Sequence, residues 1–541
     1  MNNLISARRE SVLNSYNSAI ADNKVRFLEG DDKATAEYIY PNQLEDANHI
    51  VNTFYATKCR VISVQKKTKV GADGLMIEIA KLLTTHSDDT FVINPSNVRI
   101  ITGMSNASWE KDMIEKAPSC FKNKIFHHGK LANSDIMNIT NALIIIDEID
   151  TGDKEFQVLH RILNEAGLLD VNHMTTNNNR FVLISATMIK ELYDLYRWGN
   201  LHHHVQMTIP KSYFGHKDFL EHGILKEFYP LDSELNADRW IQEDILDNYD
   251  NDYRVHIVRI HAKNVNIVSN ACAQSNIKFT NHTSANRLSQ KQINEFFNNP
   301  LTQHIVIGVK GLFRRANLIP NRWKLRIGAT HERYVNTVDY NVQIQGLTGR
   351  MTGYWRDDIE KGHKTGPHRT SIEAVQEYEN TYIDPFGLNS YQSSGFRKKN
   401  GTVSAQSTML SPQNILNLKA TPLPDTHSEV DIDTYRIYNN ESTVREVCKI
   451  LGYRYTVSKN NADGFKLTSL TNKKTICSMK DVINAVPSLM RYNGVKTFRT
   501  CFPCYVDITN KDSLRYIVII RPSSDRIKLS ECDSKYPSLV I

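Results

Sequence analysis

No stretch of the 541-residue sequence approaches the roughly 18 consecutive apolar residues that a membrane-spanning helix needs. The opening residues, with Arg8, Arg9 and Glu10, lack the apolar core of a secretory leader. Cysteine is scarce: the eight residues at 59, 120, 272, 448, 477, 501, 504 and 532 are scattered, which argues for free thiols in a reducing compartment rather than a disulfide framework. An intracellular protein with no membrane partner is expected. No internal repeat of short fixed period is present, which argues against a solenoid or propeller. Strong charge imbalance is absent too. A net charge of +7 over this length permits a nucleic-acid partner without requiring one, because a binding track needs only local clustering.

What is present is an ordinary globular composition, 40% hydrophobic and 23% charged, in a chain too long for one core; about three domains are predicted. The most informative stretch is Ala142-Leu143-Ile144-Ile145-Ile146-Asp147-Glu148-Ile149-Asp150. A β-branched apolar run suits a parallel strand buried on both faces. Carboxylates at its carboxyl end fall in the crevice where open α/β sheets bind ligands, and suit a nucleotide-bound Mg²⁺. An acidic N-cap of a following helix explains the same letters.

The rest of the chain places that strand in a series. Residues 1–35 read as a polar helical arm, with Ile5, Val12, Leu13, Tyr16 and Ile20 at helical spacing. Residues 36–210 alternate helix and strand patterns: Arg60 to Val64 is a strand, Lys66 to Gly74 a basic turn, Leu75 to Leu83 a helix, and Thr90 to Ile93 a second strand before a turn-rich stretch from Asn94 to Ser105. Phe181 to Ile184 is another strand. Residues 211–390 repeat the alternation, from Arg254 to Val258 through His304 to Gly308 and Leu325 to Ala329. Residues 391–429 are rich in Ser, Asn, Gln and Pro and read as a linker; 430–541 read as a small α+β domain.

Six short segments stand in order at these strand ends: Tyr40-Pro41-Asn42-Gln43, Thr102-Gly103-Met104-Ser105 with Trp109, Asp147-Glu148-Ile149-Asp150, Ser185-Ala186-Thr187, Gly311-Leu312-Phe313-Arg314-Arg315-Ala316, and Gln345 to Arg350. Together, over about residues 38–354, they resemble superfamily 2 helicases of the DEAD/DEAH type, and among these the helicase-like proteins of phages and large DNA viruses. The resemblance implies an α/β fold of two tandem RecA-like parallel-sheet domains plus a small C-terminal α+β domain. It implies ATP and Mg²⁺ as cofactors, with Gln43 reading adenine, Asp147 holding the metal through water, and Glu148 activating the attacking water. Gln345 and Arg350 would complete the site from the second domain, Ser185 and Thr187 would couple hydrolysis to movement, and Thr102, Gly103, Gly311 and Arg314 would grip the strand. The implied partners are single-stranded or duplex DNA or RNA and viral replication or transcription proteins, in the host cytoplasm. Elementary chemistry agrees: an arginine that reaches the phosphates only when the domains close would link hydrolysis to stepping.

The phosphate loop departs from the pattern G-x-x-x-x-G-K-[ST]. Aligned on Gly71, the lysine and hydroxyl positions fall on Ala72 and Asp73. Aligned on Lys67-Thr68, both groups survive, but Lys66 stands where glycine should be. Lys67 or Lys69 is therefore the expected phosphate contact, with Thr68 and Gly71 in the loop, and the two registers stay open. The arginine motif is also altered: Gly353 stands three residues beyond Arg350, where a second arginine is common, and Arg314 and Arg315 are candidates to replace it or to touch nucleic-acid phosphates.

Lesser features have plainer explanations. Cys501-Phe502-Pro503-Cys504 has zinc-knuckle spacing, with Cys477 and Cys532 available to complete a set, but Pro503 suits a simple turn as well. His202-His203-His204 lacks metal-site spacing, and Gly362-His363-Lys364-Thr365 has no buried strand before it. Arg314-Arg315, Arg322 to Arg326 and Arg397 to Lys399, each near an aromatic residue, suit a single-strand track or ordinary solvated faces. Three functions stand against one another: an ATP-dependent helicase or translocase, a helicase-fold nucleic-acid scaffold without turnover, and a motor subunit of a nuclease assembly. No nuclease carboxylate-lysine cluster supports the third.

Overall fold

The computed structural model describes residues 2–31, 33–86, 91–152, 157–165, 170–283, 286–310, 319–385, 391–393, 396–399, 402–405, 410, 435–453, 478–480, 482–483, 501–507, 509–520 and 526–539. Helix α1 (Asn2–Leu28) buries Val12 and Tyr16, and the Tyr16 hydroxyl donates to Glu78 Oε2 at 2.6 Å, which docks the arm on the first domain. Leu13 and Ile20 of the predicted stripe are exposed instead. Pro41 opens α2 (Pro41–Ala56), which suits the fixed φ of proline at a helix start.

The first sheet contains β1 (Val61–Gln65), β2 (Val98–Thr102), β3 (Ile125–Phe126), β4 (Leu143–Asp147), β5 (Arg180–Ser185) and β6 (His202–Gln206) in the order β3-β2-β4-β5-β1-β6, all parallel. Helices α3 (Ala72–Thr85) and α4 (Ala107–Lys116) follow β1 and β2. Every residue of β4 is buried, as its aliphatic run requires. Burying each isoleucine side chain contributes roughly 1.5–3 kcal/mol. One expected strand is displaced. Residues 91–93 join no ladder, and the strand is Val98–Thr102, inside the stretch read as turn-rich. Pro95 sits in a short 3₁₀ turn, and the apolar residues after it supply the buried pairing.

After the short β7 (Tyr213–Phe214), the second sheet is built from β8 (Leu225–Glu227), β9 (Val255–Arg259), β10 (Lys278–Thr283), β11 (Ile305–Lys310) and β12 (Ile327–His331). The two-residue β13 (Gly353–Tyr354) pairs antiparallel with β7, and β14 (His368–Thr370) completes the second sheet in the order β10-β11-β9-β12-β14-β8. These two six-stranded parallel sheets are the expected tandem RecA-like architecture.

Beyond them lie a hairpin of β15 (Phe396–Lys399) and β16 (Thr402–Ala405) and a small antiparallel sheet of β17 (Tyr435–Tyr438), β18 (Cys501–Tyr505) and β19 (Leu514–Ile519), the expected C-terminal α+β unit. Tyr391 and Leu410, within the stretch read as linker, are buried in the first domain's core, where Trp198 Nε1 donates to Leu410 O at 2.7 Å. Cys501 and Cys504 lie on one strand and join different apolar clusters on its two faces, so they cannot share a metal as a knuckle would; Cys477 is outside the described residues. No helix among the described residues is long and apolar enough to cross a membrane.

Candidate functional site

The carboxyl ends of β1, β2, β4 and β5 are level with one another, because Thr102 pairs with Asp147 and Gln65 with Ser185. The loops leaving them converge where parallel sheets hold ligands, facing the second domain across a cavity of about 600 Å³.

Gly71 caps α3 at φ +91°, and the helix starts at Ala72-Asp73, so those residues occupy the positions of the missing lysine and hydroxyl. Asp73 is ion-paired with Lys116 at 2.8 Å. A Cβ on Gly71 would stand 2.1 Å from Gln43 Nε2 and displace that amide, and the left-handed φ itself favours glycine there. Gln43 Oε1 also accepts from Tyr40 N, and the Tyr40 ring stacks on Tyr354 of the second domain at 4.6 Å.

The loop lysines divide. Lys66 turns into the cavity, with Nζ 2.8 Å from Asp147 Oδ1 and 3.2 Å from Glu148 Oε1. Lys69, at φ +58°, lines the same cavity. Lys67 points elsewhere: its Nζ is 2.7 Å from Glu379 Oε2 and 3.7 Å from the centre of the Tyr382 ring. Of the two expected phosphate contacts, Lys67 or Lys69, only Lys69 lines the cavity, and Lys67 is turned away from it. Side chains alternate along an extended segment, and the residue immediately after the strand, Lys66, is the one aimed at the acids. Thr68 and Thr352 share a hydrogen bond of 2.9 Å, and the Thr68 and Val70 carbonyls accept from the Tyr213 and Tyr354 hydroxyls, so the second domain braces this loop.

Around the acids the bonds are closely shared. Trp109 Nε1 donates to Asp147 Oδ2 at 2.9 Å; the ring that sequence reading assigned to strand contact is buried beneath the carboxylate. Glu148 is held at φ +53°, a left-handed backbone that costs a non-glycine residue about 1–3 kcal/mol and that often marks functional loops. Gln345 Nε2 donates to Glu148 Oε2 at 3.2 Å across the cleft, and Arg350 Nη2 donates to Gln345 Oε1 at 3.1 Å. Arg350 rides on the helix Leu347–Met351, whose first N–H donates to Glu332 Oε2, while Arg259 holds Glu332 at 2.6 Å. Ser185 Oγ and Thr187 Oγ1 each donate to Asp150 at 2.7 Å, which ties that segment to the acidic loop.

The cavity concentrates cations. Lys66, Lys69, Lys324 and Arg350 line it around Asp147 and Glu148. Burial, then Arg350 and Lys66, pull the Lys69 ammonium well below its ordinary value; burial and Arg350 bring Lys324 to about 7. Burial acts the same way on Lys66, but Asp147 and Glu148 outweigh it and hold that ammonium above its usual value. A polyphosphate fits such a surplus of positive charge. For Mg²⁺ the oxygen donors are of the right kind, yet Asp147 Oδ1 and Glu148 Oε1 both face the Lys66 ammonium, so a metal fits only when Lys66 moves onto phosphate.

The strand-gripping set is placed less simply. Thr102 is fully buried at the end of β2, where its hydroxyl accepts from Met104 N, and a Cβ on Gly103 would stand 2.1 Å from Thr151 O, so Gly103 packs against the acidic loop. Gly311, Arg314 and Arg315 lie outside the described residues. Trp323 is not on a solvent track but stacks on Phe297 at 4.6 Å, and Lys324 points into the cavity. Sequence reading missed Lys66, Lys324, Tyr354 and the Glu332–Arg259 pair. Only Lys66 left a signal, as the cation nearest the end of a buried strand.

No family model matches this sequence, and no curated protein matches it. Solved structures do: Dbp5 of S. cerevisiae bound to RNA and ADP BeF3, at 12% identity over 63% of this chain and 91% of that one with a TM-score of 0.36; a DEAD box protein from the hyperthermophile Methanococcus jannaschii, at 12% over 63% and 90% with a TM-score of 0.34; and the NS3-like helicase from Alongshan virus, at 10% over 57% and 72% with a TM-score of 0.33. Identities and scores this low carry no argument about chemistry. The architecture rests on the two parallel sheets and their strand order.

Proposed function

We propose that this chain is an ATP-dependent helicase or translocase of the superfamily 2 type, acting on single-stranded or duplex DNA or RNA. The observation that supports it is the gathering of Lys66, Lys69, Lys324 and Arg350 beside Asp147 and Glu148 in one interdomain cavity, whose whole lining carries seven Lys and Arg side chains against five carboxylates, a balance that a triphosphate would complete. Mg²⁺, held through water by Asp147, would neutralise phosphate charge once Lys66 leaves that carboxylate. Gln43 reads the adenine edge beside Tyr40. Glu148 polarises the attacking water, and Gln345, bonded to it across the cleft, orients the pair. Arg350 stabilises the charge that develops on the transferred phosphoryl group only while the cleft is closed. Opening separates Gln345 from Glu148, and the Asp150 bonds to Ser185 and Thr187 carry that change towards the strand. The resemblance to helicase-like proteins of phages and large DNA viruses makes viral replication or transcription proteins its expected partners.

A second reading, a strand-binding scaffold without turnover, is favoured by two observations: the Lys66 ammonium already spans both acids, and Ala72 and Asp73 stand where a lysine and a hydroxyl are needed. A colorimetric phosphate-release assay with and without single-stranded DNA and RNA separates the two. Strand-stimulated release is expected; strand binding in a gel shift with no release under any condition would establish the scaffold.

A further inference from the structure

Lys324 enters the reading above only through the summed charge of the cavity, yet it is buried to 2% exposure at the cavity wall and has no contact of its own assigned there. It sits at the end of the helix Asn321–Lys324, within a cluster that sequence reading gave to a strand track. Its Nζ donates to Thr352 O at 2.6 Å and to Asn321 Oδ1 at 3.0 Å, and among the described residues no carboxylate forms an ion pair with it. A buried ammonium held only by neutral oxygens is costly unless an anion arrives to pair with it.

Its location is equally specific. Gly353 stands where the arginine motif commonly carries its second cation, and a Cβ built on Gly353 would lie 2.6 Å from Lys324 Nζ. The ammonium therefore occupies the space that a side chain at position 353 would enter. Gly353, at φ +146°, leaves that space open to it.

We propose that Lys324 is a phosphate-binding cation of the second domain, which pairs with the phosphate chain of a bound nucleoside triphosphate and replaces the cation missing at position 353. This rests on the nucleotide reading given above. In the free protein the charged groups facing Lys324 are cationic: Arg350 lowers its affinity for a proton, and Lys69 lies close enough to feel its charge. Burial and Arg350 leave the ammonium near pH 7, so at pH 7.5 it is partly deprotonated. A polyphosphate beside it restores the charged form, and binding takes up a proton.

The test is isothermal titration of the full chain at pH 7.5 in two buffers of different ionisation enthalpy, with a non-hydrolysable adenosine triphosphate analogue, inorganic tripolyphosphate and adenosine as separate probes. Both phosphate probes are expected to bind the wild type with uptake of a fraction of a proton, and adenosine with none. Lys324→Met should weaken both phosphate probes about 10- to 100-fold, the loss of one charge-assisted contact, and lower the uptake to what Lys69, depressed in the same cavity, still contributes. Lys324→Arg should keep the affinity and still lower the uptake by the share of Lys324, because a guanidinium stays charged, a result that a merely structural role would not produce. Should Lys324→Met fail to fold, the arginine variant decides alone. Unchanged affinity and unchanged uptake in the variants would overturn the assignment of Lys324 while sparing the nucleotide site; a wild type that binds none of the probes would overturn both.

Discussion

Lys66 and Asp147 form an ion pair of 2.8 Å in which the side chains retain only 10% and 7% of their exposure. Taking either partner away leaves a buried charge without compensation, which costs about 3–5 kcal/mol in comparable pairs. Lys66→Met should therefore lower the stability measured by urea unfolding by an amount of that order. It should also remove triphosphate affinity in a calorimetric titration.

Lys67→Ala provides the contrast. It breaks the contact with Glu379 and the tyrosine rings and loosens the seam between the domains, so unfolding should begin at lower urea. Triphosphate affinity should stay within about twofold of the wild type, since this side chain faces away from the cavity. An equal loss of affinity in both variants would return the phosphate contact to Lys67.

Glu148→Gln keeps the shape and the hydrogen bond to Gln345 but removes the base. Strand-stimulated phosphate release should fall by about 10²–10⁴, the usual worth of a positioned general base, with triphosphate binding nearly intact. Unaltered turnover in this variant would refute the role given to Glu148.

Asp150→Ala cuts the acidic loop from Ser185 and Thr187 without touching the cavity. Phosphate release should persist while duplex unwinding in a strand-displacement assay drops about tenfold or more, because two charge-assisted bonds that join the loop to the coupling segment are lost. A parallel fall in both activities would place Asp150 in the hydrolytic machinery instead.

Acid should destabilise the protein through buried neutral histidines. The Ala329 N–H donates to His256 Nδ1 and the Arg254 N–H to His304 Nδ1, so the bond of 3.1 Å between the rings runs from His256 Nε2–H to His304 Nδ1, and His304 Nε2–H donates to Asp250 O. Both rings are neutral in this arrangement, and burial pushes both below the ordinary histidine range. His204, His216, His331 and His368 are pushed down to about 3, in each case chiefly by burial. A histidine with a depressed folded-state value contributes its full stability above the unfolded value near 6.5 and loses it as pH falls below that. Asp46, raised to about 6 by burial, is a single group working in the opposite direction. Urea midpoints should therefore drop between pH 7 and pH 5. His216 makes the cleanest probe, because neither ring nitrogen has a hydrogen-bond partner among the described residues. In His216→Phe the loss of stability from pH 7 to pH 5 should be smaller by about 2 kcal/mol, and an identical loss would show that His216 is not buried as a neutral ring.

The core strands of both sheets were legible in the letters themselves. An aliphatic run such as Leu143 to Ile146 can be buried only on both faces, and its end must then deliver Asp147 to the sheet's crevice whatever the rest of the chain does. The same local logic set the helix over residues 75–83 and the neighbourhood of Ser185. It failed at Val98–Thr102, where Pro95 and the polar residues around it masked a strand that exists because β4 offers it a buried partner. In the site, residue types and order were enough to nominate Asp147, Glu148, Gln345 and Arg350. They were not enough to choose among the lysines. Lys66, Lys67 and Lys69 are nearly equivalent in sequence, and their assignment depends on which way each leaves a short loop pressed between two domains. Lys324 lies 258 residues beyond Lys66 in the chain and enters the same cavity only because the second sheet folds against the first. Periodicity and strand-end chemistry are local and can be read along the chain, whereas the sign and surplus of charge in the cleft are sums over both domains and exist only once the tertiary structure has brought them together.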